Sequence, residues 1–338
     1  MRKFTSLLLA ASTWGLAQAD DTPEPSAPGQ ADVAAIFDER SVLTPQGKLI
    51  FEPSLQYVHS TATQVAIDGY TVIPAIAIGL INVSETQRDT LTLGLGFRYG
   101  LSRRLDVDLR VPWTYKEESV RERELLQGNN SDLIRDSDGS GLGDIEFGLH
   151  YQFNQARNGW PYVIGNLRVK SRTGRDPFEV DRQQLRDKDG VLISEVFAEQ
   201  PTGSGFWSVQ PSLTFLYPSD PAILYGSISY LWNIERDVGG TIGKIDPGDA
   251  LGFGFGLGFA INDRTSFSLG YDHSIVFETR RENDAGIDAT FDRFQVGSFL
   301  LGVSHRLSAA TNLNLSLGIG VTEQAPDLQL TLKLPMSW

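Results

Sequence analysis

From residue 47 to the C-terminus, apolar and polar residues alternate in runs of about ten to fourteen. The clearest runs are Leu91, Leu93, Leu95, Phe97, Tyr99; Leu105, Val107, Leu109, Val111, Trp113, Tyr115; and Leu251, Phe253, Phe255, Leu257, Phe259, Ile261. A period of two is the period of an extended strand, whose side chains point to opposite faces in turn. Strands are therefore expected at 47–60, 89–99, 104–115, 142–153, 160–172, 206–217, 222–234, 249–261, 265–278, 291–307, 312–321 and 327–338. In the last, Leu328, Leu330, Leu332, Leu334, Met336 and Trp338 share one face, and Gln329, Thr331, Lys333 and Ser337 share the other. Ahead of the strands, Val33, Ile36 and Phe37 sit at i, i+3 and i+4, enough for a two-turn amphipathic helix over 31–40. Thr44, Pro45 and Gly47 end it.

The connections decide what twelve such strands build. Those at 100–103, 154–159, 218–221, 262–264 and 308–311 are tight and made of turn residues. The intervening ones, 61–88, 116–141, 173–205, 235–248 and 279–290, are long and polar or charged, with only 322–326 short. Short and long connections alternate in this way in transmembrane barrels, and a soluble sandwich gives no reason for it. Trp113, Trp160, Trp207, Trp232 and Trp338 lie near strand ends, where interfacial girdles fall. The expected fold is all-β, a 12-stranded antiparallel transmembrane β-barrel over 47–338 with a short N-terminal helix.

Residues 1–19 carry Arg2 and Lys3, an apolar run and Ala17-Gln18-Ala19, the layout of a secretory signal peptide. No stretch reaches the roughly 18 apolar residues of a spanning helix, and the nearest, at 72–83, contains Pro74, Gly79 and Asn82. The chain is thus expected in the outer membrane of a Gram-negative cell, against lipid, with a periplasmic N-terminus. Residues 20–46 then form a periplasmic spacer and a plug. Without the leader, 27 basic residues face 42 acidic ones, a net charge of −15, which argues against a nucleic-acid partner. With no cysteine, disulfides and thiol chemistry are excluded.

Function is expected on the inner faces. Opposite the apolar rows lie Arg98, Asp106, Asp108, Arg110, Asp144, Glu146, Arg168, Lys170 and Arg172, which read as pore-lining. A midplane Arg or Lys pointing into lipid would cost roughly 2–4 kcal/mol. Counting outward from the tight turns sets Arg98 opposite Asp106, and Asp144 near Arg168 and Lys170. One inner row is bare: Gly252, Gly254, Gly256 and Gly258. Such a row marks close approach of something else, and the helix with Val33, Ile36, Phe37 and Asp38 is a candidate plug against it. Relief of barrel strain is the other reading of the glycines.

Other chemistry is sparse. Asp136, Asp138 and Asp144 suggest a calcium loop, but the EF-hand spacing is broken by Ile134 and Ile145. His59, His150, His273 and His305 sit in four strands without metal-ligand spacing, and no Gly-x-Ser-x-Gly occurs. No catalytic, metal or cofactor residue is assigned. A barrel-embedded lipid-modifying hydrolase and a structural or adhesive barrel stay open beside a channel.

The stretches Ser41-Val-Leu-Thr-Pro-Gln-Gly-Lys-Leu-Ile-Phe-Glu-Pro-Ser-Leu-Gln-Tyr57 and Gly141-Leu-Gly-Asp-Ile-Glu-Phe-Gly-Leu-His-Tyr151, with the apolar loop 70–83, resemble the MetA-pathway-of-phenol-degradation type of outer-membrane barrel. Within that family they are most similar to the Fap pore that exports functional-amyloid subunits. The resemblance implies a plugged twelve-stranded pore and a homotrimer. It departs ahead of the plug, where that pore carries a long coiled coil and this chain has only 20–30. The expected function is an outer-membrane channel gated by its N-terminal segment, passing small molecules or an unfolded polypeptide.

Overall fold

The computed structural model describes residues 43–68, 80–124, 133–155, 159–186, 192–219, 222–239, 243–282 and 288–338. The expected leader at 1–19, spacer at 20–30 and helix at 31–40 with Val33, Ile36, Phe37 and Asp38, and most of the apolar stretch 72–83, lie outside them. In chain order the strands are β1 (Leu49–Asp68), β2 (Leu80–Ser102), β3 (Leu105–Glu124), β4 (Leu133–Leu142), β5 (Glu146–Gln152), β6 (Tyr162–Lys170), β7 (Arg182–Arg186), β8 (Leu192–Phe197), β9 (Ser208–Ser219) and β10 (Ala222–Asn233). Then follow β11 (Arg236–Asp237), β12 (Lys244–Asp246), β13 (Ala250–Asn262), β14 (Thr265–Val276), β15 (Thr279–Glu282), β16 (Asp288–Phe291), β17 (Phe294–Arg306), β18 (Asn312–Gly320), β19 (Leu328–Lys333) and β20 (Met336–Ser337).

One sheet runs β19-β18-β17-β14-β13-β10-β9-β6-β5-β3-β2-β1, and β19 also pairs with β1, so the sheet closes. Two staves are interrupted. β4 and β5 both pair with β3, one above the other, and β20 continues β19 along β1 past Pro335, which has no N–H for the ladder. Counted as staves, the barrel is twelve-stranded and antiparallel. Closure removes the exposed strand edges that would otherwise invite pairing with another chain.

The alternation sorts the two faces. Leu93, Leu95, Phe97, Leu109, Phe147, Leu213, Phe253, Phe255, Phe299 and Leu315 are exposed on the outside, while Ser54, Thr114, Ser208, Ser268, Ser304 and Asn314 are buried within. Trp160 and Trp338 are exposed at the tight-turn end, and Trp113, Trp207 and Trp232 at the other. From the foot of β10 to Trp232, at about 3.3 Å per residue and a tilt of about 40°, the rise is roughly 25 Å. That is the height of the apolar band of an outer-membrane barrel.

β1, β2 and β3 run well past the expected ends at 60, 89 and 115: β1 and β2 pair as far as Asp68 with Leu80. Near the expected ends the extensions read Ser60-Thr61 against Gln87-Arg88, without the apolar alternation of the wall. The described parts of the long connections at the same end form strands too. β11, β12, β15 and β16 form a four-stranded sheet, and β7 and β8 a hairpin. In that sheet Ile245 is fully buried, and at its edge the carboxylate of Glu235 beside Lys244 raises the ammonium's pKa above its usual value.

Arg236 ties this layer to the neighbouring connection. Its Nη1 lies 2.5 Å from Asp176 Oδ2 and donates to Gly205 O at 3.0 Å, with the guanidinium 5.7 Å from the Phe178 ring. The Asp176 side chain is almost wholly buried. Arg236→Ala strands that carboxylate, a change that costs about 3–5 kcal/mol where a buried pair is broken. Limited proteolysis of the folded protein in detergent should then cut within 173–205 at least tenfold faster, while the barrel keeps its resistance. Equal cutting rates in the two proteins would show that the pair does not hold the layer.

Candidate functional site on the inner wall

The pairings stack the inner charges of β2, β3, β5 and β6 into three rows. The row nearest the tight turns reads Asp106, His150, Asn166, Ser212. The next reads Arg98, Asp108, Gly148, Arg168, Gln210. The third reads Gly96, Arg110, Glu146, Lys170, Ser208. Arg98 therefore faces Asp108 rather than the expected Asp106. β2 runs on to Ser102 and a bulge between Gly100 and Ser102 shifts the register, which counting from an ideal turn cannot anticipate.

Hydrogen bonds run along the first two rows. His150 Nε2 lies 2.6 Å from Asp108 Oδ2 and its Nδ1 lies 2.7 Å from Asn166 Oδ1. Asn166 Nδ2 donates to Ser212 Oγ at 3.1 Å and to Thr214 Oγ1 at 3.2 Å. Asp108 reaches His150 by leaning across Gly148, where an added Cβ would fall 1.8 Å from Asp108 Oδ2. Gly148→Val should force Asp108 off the histidine, and imidazole NMR shifts of His150 would report it; unmoved shifts would place the carboxylate elsewhere.

Asp144 and Glu146 have different partners. Asp144 sits where β4 and β5 part, and accepts from Gly174 N (3.1 Å), Ser204 N (2.8 Å) and Ser204 Oγ (2.7 Å). Lys170 Nζ lies 3.9 Å from the same carboxylate and donates to Ser204 Oγ at 2.8 Å. The pair Asp144–Lys170 was legible in the sequence; Arg168 instead lies 3.5 Å from Glu146. Arg172 lies beyond the end of β6 and is exposed. The carboxylates of the suggested calcium loop are spread out by the same architecture. Asp136 and Asp138 lie along extended β4, with Asp136 accepting from Ser119 Oγ, and Asp144 is bonded elsewhere. Among the described residues no group of His, Cys, Asp and Glu is arranged to hold a metal ion.

The chain enters β1 from inside the barrel. Leu43, 6% exposed, clusters with Ile164 of β6, Leu216 of β9, Tyr225 of β10 and Leu300 of β17. These residues come from the far wall, so Leu43 reaches into the lumen at the tight-turn end. Thr44 N donates to Asp106 Oδ2 at 2.8 Å, and Thr44 and Asp106 are each 1% exposed. Gly47 N donates to Gly100 O at 2.8 Å, and Gly100 N donates to Lys48 O at 3.1 Å. A Cβ at Gly100 would collide with Pro45 O at 2.2 Å and Thr44 O at 2.6 Å, so the glycine is what lets this turn lie flat on the wall.

Gly252, Gly254 and Gly256 lie on the inner face of β13, and side chains of the adjoining strands lie over them. An added Cβ would meet Ser229 Oγ at Gly252, Asp272 Oδ1 at Gly254 and Tyr225 Oη at Gly256, all within 2.6 Å. Gly258 continues the row and pairs with Ile223 and Ser268. Tyr225 thus rests on the glycines and presents its ring to Leu43. Sequence reasoning missed Leu43, Thr44, Tyr225 and Ser204, none of which stands in a periodic pattern pointing to this role.

No family model matches the chain. Among solved structures it is similar to the COG4313 outer membrane channel from Pseudomonas putida F1, at 16% identity and a TM-score of 0.53, over 93% of this chain and all of that one. At lower similarity stand the translocator domain of the autotransporter NalP from Neisseria meningitidis and the P. putida toluene transporter TodX. Their identities are 10% and 12% and their TM-scores 0.46 and 0.42, over 90% of this chain in each case and 91% and 93% of theirs. The first likeness is one of fold: a closed outer-membrane β-barrel.

Proposed function

We propose that the chain is an outer-membrane channel for small solutes, closed at its tight-turn end by its own N-terminal segment. What carries this reading is Leu43 seated against Ile164, Leu216, Tyr225 and Leu300 across the lumen, with Thr44 N bonded to buried Asp106. A barrel with no passage needs no chain drawn through its end, and a wall of ionised groups needs water. In this reading residues 1–19 are the leader, 20–42 continue the closure from the periplasm with Val33, Ile36, Phe37 and Asp38 on the plug, and Arg98, Asp108, Arg110, Glu146 and Arg168 line the path. The protein that it resembles in fold is by its name a channel, and no catalytic pairing of the inner histidine competes: His150 is engaged by Asp108 and Asn166. Export of an unfolded polypeptide and a homotrimer rest on the sequence resemblance alone.

Single-channel recording in planar bilayers tests the closure with two deletions. A chain lacking 20–40 retains Leu43 and Thr44 and should stay mostly closed; one lacking 20–44 should open in long steps. Silence from both deletions would sink the channel reading, and equal opening of both would move the closure upstream of Leu43.

A further inference from the structure

Resting on the channel reading, we infer that the inner wall holds an anion site at Arg110 and Arg168, suited to the carboxylate of a small amphipathic acid. The two arginines stand on β3 and β6 either side of Glu146 of β5. Their donors are unspent. Arg110 has no ion-pair or hydrogen-bond partner among the described residues, and its Nε stands over the bare backbone of Gly94. Among the described residues Arg168 makes one ion pair, with Glu146 at 3.5 Å, and its side chain is 35% exposed to the lumen.

The nearby carboxylates are placed the other way. Asp106 is buried beneath Thr44, Asp108 is taken by His150, and Asp144 by Gly174 and Ser204. On this face Arg110 and Arg168 outnumber the one carboxylate between them, Glu146, and a planar fork of donors matches a carboxylate in two-point fashion. An amine would find Asp106, Asp108 and Asp144 already bonded, and Glu146 flanked by the two arginines.

The facing half of the barrel sets the rest of the solute. There Ser227, Ser229, Ser298, Gly254 and Gly302 leave a wall of small residues with the Asp272 carboxylate leaning over Gly254, and an apolar patch of Leu231, Val276 and Phe294 lies at the end opposite Leu43. A solute with one anionic end and a compact apolar body meets complementary chemistry on both sides. Neither a dication nor a purely apolar molecule does so.

Calorimetric titration of the full-length protein, folded in detergent, tests the site without requiring that the pore open. The probes are benzoate, benzyl alcohol and benzylammonium. Benzoate should bind about tenfold more tightly than benzyl alcohol, the size of one charged hydrogen bond, with benzylammonium weakest. Arg110→Gln or Arg168→Gln should erase the preference, Arg110→Lys should keep part of it, and added salt should weaken it. Equal binding of benzoate and benzyl alcohol, or an unchanged preference in both glutamine variants, overturns the inference. Should a glutamine variant fail to fold, Arg110→Lys and the salt dependence still decide. Benzoate binding together with silent deletions would leave the site standing and remove the channel.

Discussion

Leu43→Asp will convert the barrel from mostly closed to mostly open. The leucine is nearly completely buried among Ile164, Leu216, Tyr225 and Leu300, and burying such a side chain is worth about 1.5–3 kcal/mol. The aspartate forfeits that and adds a charge with no partner in an apolar cluster, which costs several kcal/mol more. Against these stands the bond from Thr44 N to Asp106, a charge-assisted bond worth about 1.5–3 kcal/mol that the substitution leaves in place. The losses exceed it, so the closed-to-open ratio should fall by at least roughly a hundredfold, since each 1.4 kcal/mol is about tenfold. Leu43→Ala, which forfeits the burial alone, should give an intermediate open probability. Gly100→Val is an independent probe, because its side chain would press on Thr44 and Pro45 from the wall without touching the cluster. If Leu43→Asp and Gly100→Val both conduct no more than the unaltered protein, the segment does not close the pore.

The wall of the barrel was legible because its determinants are local and periodic. Each lipid-facing row, such as Leu251 to Phe259 or Leu313 to Ile319, repeats every second residue and announces its own strand. The tight turns were legible for the same reason. Legibility stopped where the apolar alternation stops: around Ser60, Arg88 and Glu118 the strands β1 to β3 continue with polar residues, and nothing periodic separates such a stretch from a loop. The break between β4 and β5 was hidden inside a run with apolar spacing from Leu142 to Phe153. It is made by Asp144, whose partners Gly174 and Ser204 are supplied from far along the chain.

The inner wall was legible as a face but not as a set of pairs. That Asp108, Arg168 and Glu146 point inward follows from parity; which atoms meet depends on a bulge at Gly100 and on Gly148 making room for a leaning carboxylate. The bare row of β13 shows the same limit. Its glycines are occupied from the neighbouring strands β10 and β14 by Tyr225, Ser229 and Asp272, a relation that no single-strand pattern carries. The expected plug at 31–40 lies outside the described residues, and Leu43 and Thr44, just after it, were not among the residues singled out. An amphipathic helix leaves a period in the sequence, whereas one leucine and one threonine drawn onto a wall do not.

Arg88→Ala will destabilise the extended part of the barrel by about 3–5 kcal/mol, the usual cost of orphaning one member of a buried ion pair. Arg88 and Glu118 face each other across β2 and β3, with Nε 2.5 Å from Oε2 and side chains 7% and 2% exposed. Glu118 is thus almost removed from water, and among the described residues Arg88 is the cation paired with it. The pair's own net contribution is much smaller than the cost of breaking it, since both groups give up their hydration to form it. The double variant Arg88→Met with Glu118→Leu should therefore recover most of the loss, and Glu118→Gln alone should cost less than Arg88→Ala. Unfolding in urea from lipid vesicles, followed by tryptophan fluorescence, measures all four proteins. A double variant as unstable as Arg88→Ala would show that the two side chains contribute through packing rather than as a charge pair. A single variant with no loss would mean that water reaches Glu118, contrary to its burial at the junction where the lipid-facing barrel becomes the polar extension.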